Sequence, residues 1–550
     1  MPDIALAAVE YGGYISIIKL MVFLVMFFLW LPLVVWVHND ARQVEANDAM
    51  WTGVILGAGG VAALAWMAIP IFIVGMLAYI ITVGAISLAY VKHRNARVMD
   101  FDRVLTADHI KNLFVSKEKK LDDLKGFLFT TANKNQVPIP EPRTPDFFGY
   151  KLAYELLTDA IWRRASSIIF TPGPQEYKVV YSVDGAAIKQ PDIPRDQAGY
   201  LIRFLKSLAD LDVKERRKPQ RANFRSSSGE NNYEWEVTTA GSTAGEQVRI
   251  KNMTQEDILK LSDIGLSSDQ YEQVSAFRGL KEGLFIVTGP KKSGVTSTFY
   301  SLLRSHDAFL NSINTLERQP LGKLPNITQS TYSAADTGKT YGQKLQHIVR
   351  MGPDIVGVAD CVDAETAKVA CVAAKDMKVV YVAFEAASVT QALAKWMKLV
   401  GDKNLVAETL LGVSNQRLVR KLCPECRQAY APNQELLRKF NLNADKTKVL
   451  YREGKVQYDK HGKPIPCENC QGTGFLGRTG VFEMVVMNEQ LTNMFRKTKS
   501  LPEIVTQFRR AKMLYLQEQA LRRAISGTTS INEMIRVLSA SKTNKSKPSK

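Results

Sequence analysis

The feature that most limits the fold is where the apolar residues lie, because two long apolar runs fill most of the first hundred residues. Tyr14 to Val37, YISIIKLMVFLVMFFLWLPLVVWV, carries Lys19 as its single charge. About 24 residues at 1.5 Å each cross a hydrocarbon core of ~30 Å as a helix. The run is too long, and wrongly flanked, for a cleaved secretory leader. After the polar loop HNDARQVEANDAM, a second run extends from Trp51 to Val91. At about 41 residues it would measure roughly 60 Å as one helix, twice a bilayer core. It must therefore turn, and Pro70 marks the place. Three spans result, or two if the Gly-rich GVILGAGG stays outside the core. Either way, KHRNAR at Lys92 to Arg97 marks the cytoplasmic side by the positive-inside rule. The bulk of the chain follows it there.

That remainder is long enough for several buried cores. Net charge is +18, from 72 Lys and Arg against 54 Asp and Glu, which attracts anionic lipid, nucleotide or nucleic acid without choosing among them. No aromatic-basic platform or groove-reading motif accompanies the charge, so nucleic-acid binding ranks last. The end SKTNKSKPSK reads as a solvated or lipid-proximal tail.

From Val98 to about Pro145 the composition is mixed and punctuated by NQVPIPEPRTPDFF, the signature of a linker. YKLAYELLTDAIWRRASSIIF then has a helical period leading into a strand, and YKVVYSVDG alternates and ends on the hairpin pair Asp184-Gly185. An amphipathic helix, YLIRFLKSLADLDVKERRKPQ, runs into a basic turn. These elements make a small α+β domain.

GLFIVTGPKKSGVTSTFYSLL reads as buried strand, glycine loop and helix. In such loops backbone N–H groups and a helix amino end surround phosphates. Gly289, Lys291, Lys292, Ser293, Gly294, Val295, Thr296 and Ser297 have the frame GxxxxGK[ST], but Val295 stands at the lysine position. Thr296 occupies the place of the Mg²⁺-binding hydroxyl. Loss of one preorganised charge from such a site costs about 10²- to 10³-fold in rate. Lys291 and Lys292 lie in the same loop and either supply that charge or face solvent.

Six cysteines are too few for a disulfide scaffold, and four form CPEC and CENC at Cys423, Cys426, Cys467 and Cys470. Each pair can grip a tetrahedral Zn²⁺ with two thiolates, against free thiols or a disulfide. Four protein ligands make such a zinc structural. Cys361 and Cys371 read as small buried residues.

Downstream, RMGPDIVGVADCVDAETAKVACVAA, LLGVSNQRLVRKLCPECRQAY and CENCQGTGFLGRTGVFEM resemble the hexameric type II secretion and type IV pilus assembly ATPases. The resemblance covers about Asp146 to Leu538. It implies an α/β fold with a RecA-like P-loop core, a preceding small α+β domain, an inserted zinc hairpin and a carboxyl-terminal helical domain, here behind amino-terminal transmembrane helices. The layout is membrane anchor 1–92, cytoplasmic linker 93–145, small domain 146–255, connector 256–280, P-loop domain 281–420, zinc insertion 421–485, helical domain 486–540 and basic tail 541–550.

The resemblance also exposes departures. Where the family's Walker B stretch ends in Gly-Glu-x-Arg-Asp, this chain has Ala359, Asp360, Cys361, Val362 and Asp363. The acidic box keeps Glu317 but continues Arg318-Gln319, and Glu385 replaces the family histidine. Arg216 and Arg217 match family arginines, while Asn223 replaces a third. Asp360 and Glu317 are thus the weak catalytic candidates. Together the losses imply a member that binds ATP or ADP with Mg²⁺ yet hydrolyses slowly or not at all, a pseudo-ATPase acting as scaffold or regulator. The alternative is an active motor using Lys291 or Lys292 with Asp360. The implied setting is a multi-pass protein of the bacterial inner membrane in contact with its lipids, its large carboxyl part cytoplasmic. Implied partners are a homo- or hetero-oligomeric ring, a membrane platform protein and an active paralogous ATPase.

Overall fold

Both apolar runs become helices, and the second breaks where the proline requires it. In the computed structural model, α1 covers Ile17–Gln43, α2 Asp48–Ala68 and α3 Phe72–Asn95, with Pro70 in the connection between α2 and α3. All three are long and apolar enough to cross a membrane. The helices approach closely at two glycines: a Cβ on Gly59 would lie 2.5 Å from the Trp30 ring, and one on Gly75 2.4 Å from Trp66. Near their polar ends Asp40 of α1 is buried and accepts from Arg94 Nε and Tyr90 Oη of α3, both at 2.7 Å. An ion pair at that depth is tolerated only when satisfied, and it ties α1 to α3.

Residues 16–44, 46–98, 103–106, 126–141, 144–254, 258–333, 338–454, 457–462, 464–498 and 500–543 are described. The first residues of the first apolar run, residues 99–102, 107–125 and 142–143 of the linker 93–145, and the tail beyond Thr543 lie outside them. The chain forms two compact units: Met1–Thr158, Ile168–Val180 and Lys189–Lys251 in one, Asp159–Ser167, Tyr181–Ile188 and Asn252–Lys550 in the other.

The small domain is a sheet with helices. Its strands are β1 Phe127–Thr130, β2 Gln136–Val137, β3 Ala165–Pro172, β4 Glu176–Val183, β5 Ala186–Lys189, β6 Ile193–Pro194, β7 Gln220–Ser228, β8 Asn231–Ser242 and β9 Gly245–Asn252, in the order β2-β1-β7-β8-β9-β3-β4-β5 with β6 on β4. Helices α4 (Pro145–Trp162) and α5 (Arg195–Leu208) accompany it. Asp184 (φ 50°) and Gly185 (φ 78°) both take the left-handed region between β4 and β5, as a two-residue hairpin requires. β1 and β2 fall where the sequence alone reads as linker. Four residues of FLFT are too few to show a period, but Phe127 and Phe129 are buried and β1 pairs with β7, a partner about a hundred residues away.

The second unit holds the α/β core. Its strands are β10 Gly283–Gly289, β11 Ile313–Glu317, β12 Thr328–Thr331, β13 Ile355–Val358, β14 Val379–Glu385, β15 Leu410–Leu422 and, after the insertion, Phe475–Val486. The order is β12-β11-β13-β14-β10-β15 followed by Phe475–Val486, parallel throughout except for that last strand. This is the RecA-like arrangement. Every residue of β10 is buried, because both faces are covered: Leu284 and Ile286 join one core cluster, Phe285 and Val287 the other. The alternation follows from the strand's two-residue period. The segment between Cys426 and Cys467 holds the small pairs Gln428–Tyr430 with Leu450–Arg452 and Gln457–Tyr458 with Pro464–Ile465. Four helices, Glu489–Lys497, Leu501–Arg510, Leu516–Ile525 and Ile531–Thr543, complete the carboxyl end.

Candidate functional site

The glycine loop follows the carboxyl end of β10, a strand buried at every residue. At Gly289 a Cβ would lie 2.2 Å from Ser293 Oγ and 2.9 Å from the Gln416 carbonyl, so only glycine lets the chain double back. Lys292 (φ 65°) and Gly294 (φ 86°) then take the left-handed conformation, which curls the loop onto the helix Val295–Leu303. Gln416 Nε2 supports it from beneath, donating to the Ser293 carbonyl at 3.0 Å. Ser293 Oγ is buried and has no hydrogen-bond partner among the described residues. The frame of a phosphate cradle at a helix amino end is therefore built.

Its charge is distributed unlike its shape. Val295 is half-buried and packs against the core cluster of Phe285, Val287 and Phe299. Lys291 and Lys292 are exposed, Thr296 is half-buried and Ser297 exposed.

The acidic candidates reach the carboxyl edge of the parallel sheet, where open α/β sheets place ligands. Glu317 ends β11, buried, and its carboxylate accepts from Tyr300 Oη at 2.5 Å, Thr315 Oγ1 at 2.8 Å and Gln329 Nε2 at 3.1 Å. Burial, then the bond to Glu317, raises the Tyr300 pKa, so the phenol stays the donor. With three donors on it, Glu317 acts as an anchor that joins the loop helix to β11 and β12. Asp360 follows β13, exposed, at φ 54°. A non-glycine residue there stores on the order of 1 kcal/mol of strain or more. Asp363 instead caps the next helix, accepting from Thr366 N at 2.8 Å. Glu385 ends β14, exposed, in register with Gly289.

Arg216 and Arg217 belong to the other compact unit, both exposed. Their turn is held by Glu215, whose carboxylate accepts from the Arg217 and Lys218 amides. Those bonds to the charged form lower its pKa.

A buried polar set beneath the loop escaped the sequence reading. Ser414, Asn415, Gln416 and Arg417 of β15 are all buried. Asn415 Nδ2 donates to Thr288 Oγ1 at 2.9 Å and to the Ala386 carbonyl at 3.0 Å, and Arg417 reaches the Ala387 carbonyl at 2.8 Å. Burial lowers the Arg417 pKa and raises that of Glu483, which pairs in register with Asn415. The available signal was the polar SNQR inside an otherwise apolar strand pattern, LLGVSNQRLVRKL.

The second constellation is the cysteine cluster. The four sulfurs of Cys423, Cys426, Cys467 and Cys470 lie within 4.8 Å of one another, with Cys423 and Cys467 3.9 Å apart and Cys426 and Cys470 3.6 Å. A tetrahedron of thiolates around zinc, with Zn–S near 2.3 Å, has edges of about 3.8 Å. The separations fit that donor set and are too long for disulfide bonds. The Gly474 amide donates to Cys470 Sγ at 3.2 Å. Burial, then the neighbouring thiols, raises the Cys426 pKa, a cost that a bound cation relieves. Arg164 supports the second turn, donating to Gln471 Oε1 at 2.6 Å. Cys361 and Cys371 are buried, their thiols pushed up by that burial to about 12 and about 11.

Comparison with known proteins gives one family, whose model, described as Type II/IV secretion system protein, matches residues 147–536. Type IV pilus assembly ATPase PilB of Thermus thermophilus is 27% identical over 399 residues, 72% of this chain and 44% of that protein. This chain thus spans less than half the length of that relative. Type II secretion system protein E of Dickeya dadantii is 28% identical over 388 residues, 70% of this chain and 75% of its own. The protein of the same name from Pseudomonas aeruginosa is 27% identical over 420 residues, covering 76% and 81%. Among solved structures, the Legionella pneumophila ATPase DotB is 16% identical and covers 73% of this chain and 98% of its own, with a TM-score of 0.49.

Proposed function

The chain belongs to the type II/IV secretion system protein family, and from that premise we propose that it is a membrane-anchored member that binds ATP or ADP but hydrolyses it slowly or not at all. The observation that carries this reading is the seat of Val295. At the position of the phosphate-bridging ammonium stands an aliphatic side chain packed on the core, while the loop's own lysines face solvent. The loop backbone and the helix amino end would hold the phosphates, and Thr296 and Asp360 would face the Mg²⁺. That ion supplies charge neutralisation, and the deficit lies in what this chain adds to it. Glu317, held by three donors, serves the framework.

In this reading the protein is a scaffold or regulator of a secretion or pilus-like machine in the bacterial inner membrane. It forms a homomeric or mixed ring, a hexamer by analogy with the family, beside a platform protein and an active paralogue. Zinc in the cysteine cluster is structural. The test uses the full chain in detergent: calorimetric titration with ADP beside phosphate release from ATP. Micromolar binding with negligible turnover is expected. Brisk turnover overturns the reading in favour of an active motor, for which the exposed ammoniums of Lys291 and Lys292 are the source of charge, and Lys292→Ala would then abolish it.

A further inference from the structure

A groove of about 520 Å³ lies at the polar end of α3, lined among others by Leu88, Val91, Lys92, Arg103 and Leu105. Its far wall is the short segment 103–106, folded back against the helix. Asn95 fastens it reciprocally: Asn95 Nδ2 donates to the Val104 carbonyl at 2.8 Å, and the Val104 amide donates to Asn95 Oδ1 at 3.0 Å. Arg103 Nε donates to the Asn95 carbonyl at 3.2 Å, which holds its guanidinium at the groove. Leu105, at φ 62°, is exposed, as is Leu88 on α3.

The lining is ordered by depth. From Phe72, about 20 residues at 1.5 Å each bring the helix to Val91 across ~30 Å of hydrocarbon. Leu88 and Val91 then lie at the inner edge of the acyl layer, and Lys92, Asn95 and Arg103 at headgroup level. We propose that this groove binds one anionic phospholipid, its phosphate between Lys92 and Arg103 and an acyl chain along Leu88, Val91 and Leu105. A nucleotide or free phosphate would leave the apolar half empty, and a choline headgroup would set a cation beside two others. Arg94, on the same helix end, is engaged with buried Asp40 and belongs to the helix contact instead.

The site rests on the membrane-anchored reading, and the test separates the two. The full chain is purified in detergent, titrated with phosphatidylglycerol or phosphatidylcholine, and its lipid adducts are counted by native mass spectrometry. One phosphatidylglycerol should persist under activation that strips phosphatidylcholine, undisturbed by millimolar inorganic phosphate. Lys92→Gln with Arg103→Gln should lower its retention about 25-fold, near fivefold per cation, and Leu105→Gln should weaken both lipids. Arg42→Gln, an exposed cation on α1, controls for general surface charge and should change nothing. Equal binding of the two lipids, displacement by phosphate, or an equal effect from Arg42→Gln overturns the site. A chain that stays in the supernatant when membranes are pelleted without detergent overturns the anchor itself.

Discussion

The phosphate loop and the cysteine cluster are both tight turns in the same compact unit, yet they hold to their chemistry differently. The loop keeps its shape through Gly289, Gly294 and the Gln416 support, while half-buried Val295 packs against the apolar core. In the cluster, shape and chemistry are the same four residues. A backbone cradle keeps its frame with a valine at that position, because the frame rests on glycines and backbone bonds. A four-thiol turn that holds a metal would have no such independence, since its ligands would also be its cross-links.

The largest effect should come from removing that cross-link. Cys423→Ser is expected to abolish zinc retention, measured by elemental analysis, and to raise hydrogen exchange between residues 423 and 475. Structural zinc is worth on the order of 10 kcal/mol in isolated fingers. A variant with full zinc and unchanged exchange would break the contrast. Val295→Lys comes next, with hydrolysis rising about 10²- to 10³-fold if the missing charge alone limits the loop. An unchanged rate with intact nucleotide binding would shift the defect to Asp360 and Glu385.

Acid probes the core around Tyr381. Burial, with the Arg278 charge adding to it, lowers the His306 pKa from 6.5 to about 4, and its ring bonds Tyr381 Oη at 2.7 Å. Below 6.5 the unfolded chain takes up a proton that the folded one refuses. Stability should therefore fall as pH drops from 6.5 toward 4, by at most about 3 kcal/mol, and level off below. Thermal melts of His306→Gln should lack that slope, and acid loss left in the variant includes the carboxylates held low by their partners, such as Glu518 and Glu533. The smallest change is Tyr300→Phe, which takes one donor from buried Glu317. It should cost about 1–3 kcal/mol in denaturant melts without altering zinc content. No loss at all would mean that Glu317 does not depend on that anchor.

Much was legible because it is local. The apolar runs, the Asp184-Gly185 hairpin, the glycine frame and the paired CxxC turns each declare themselves within a few residues. β1 did not, since FLFT gains its identity from β7. Nor did Tyr300 and Gln329, which look like ordinary residues of a helix and a strand until the sheet brings Glu317 between them. SNQR was visible as an oddity, but its role needed β10 beside it.

By itself, then, the sequence determined the helices long enough to span a bilayer, the loop able to wrap phosphate and the four thiols spaced for a metal. Short-range sterics and solvation decide such features. Which carboxylate is tied down, which lysines face water, and that the valine packs against the core were settled only by the tertiary structure. Those depend on what distant strands press against each side chain, and burial is a property no single segment holds.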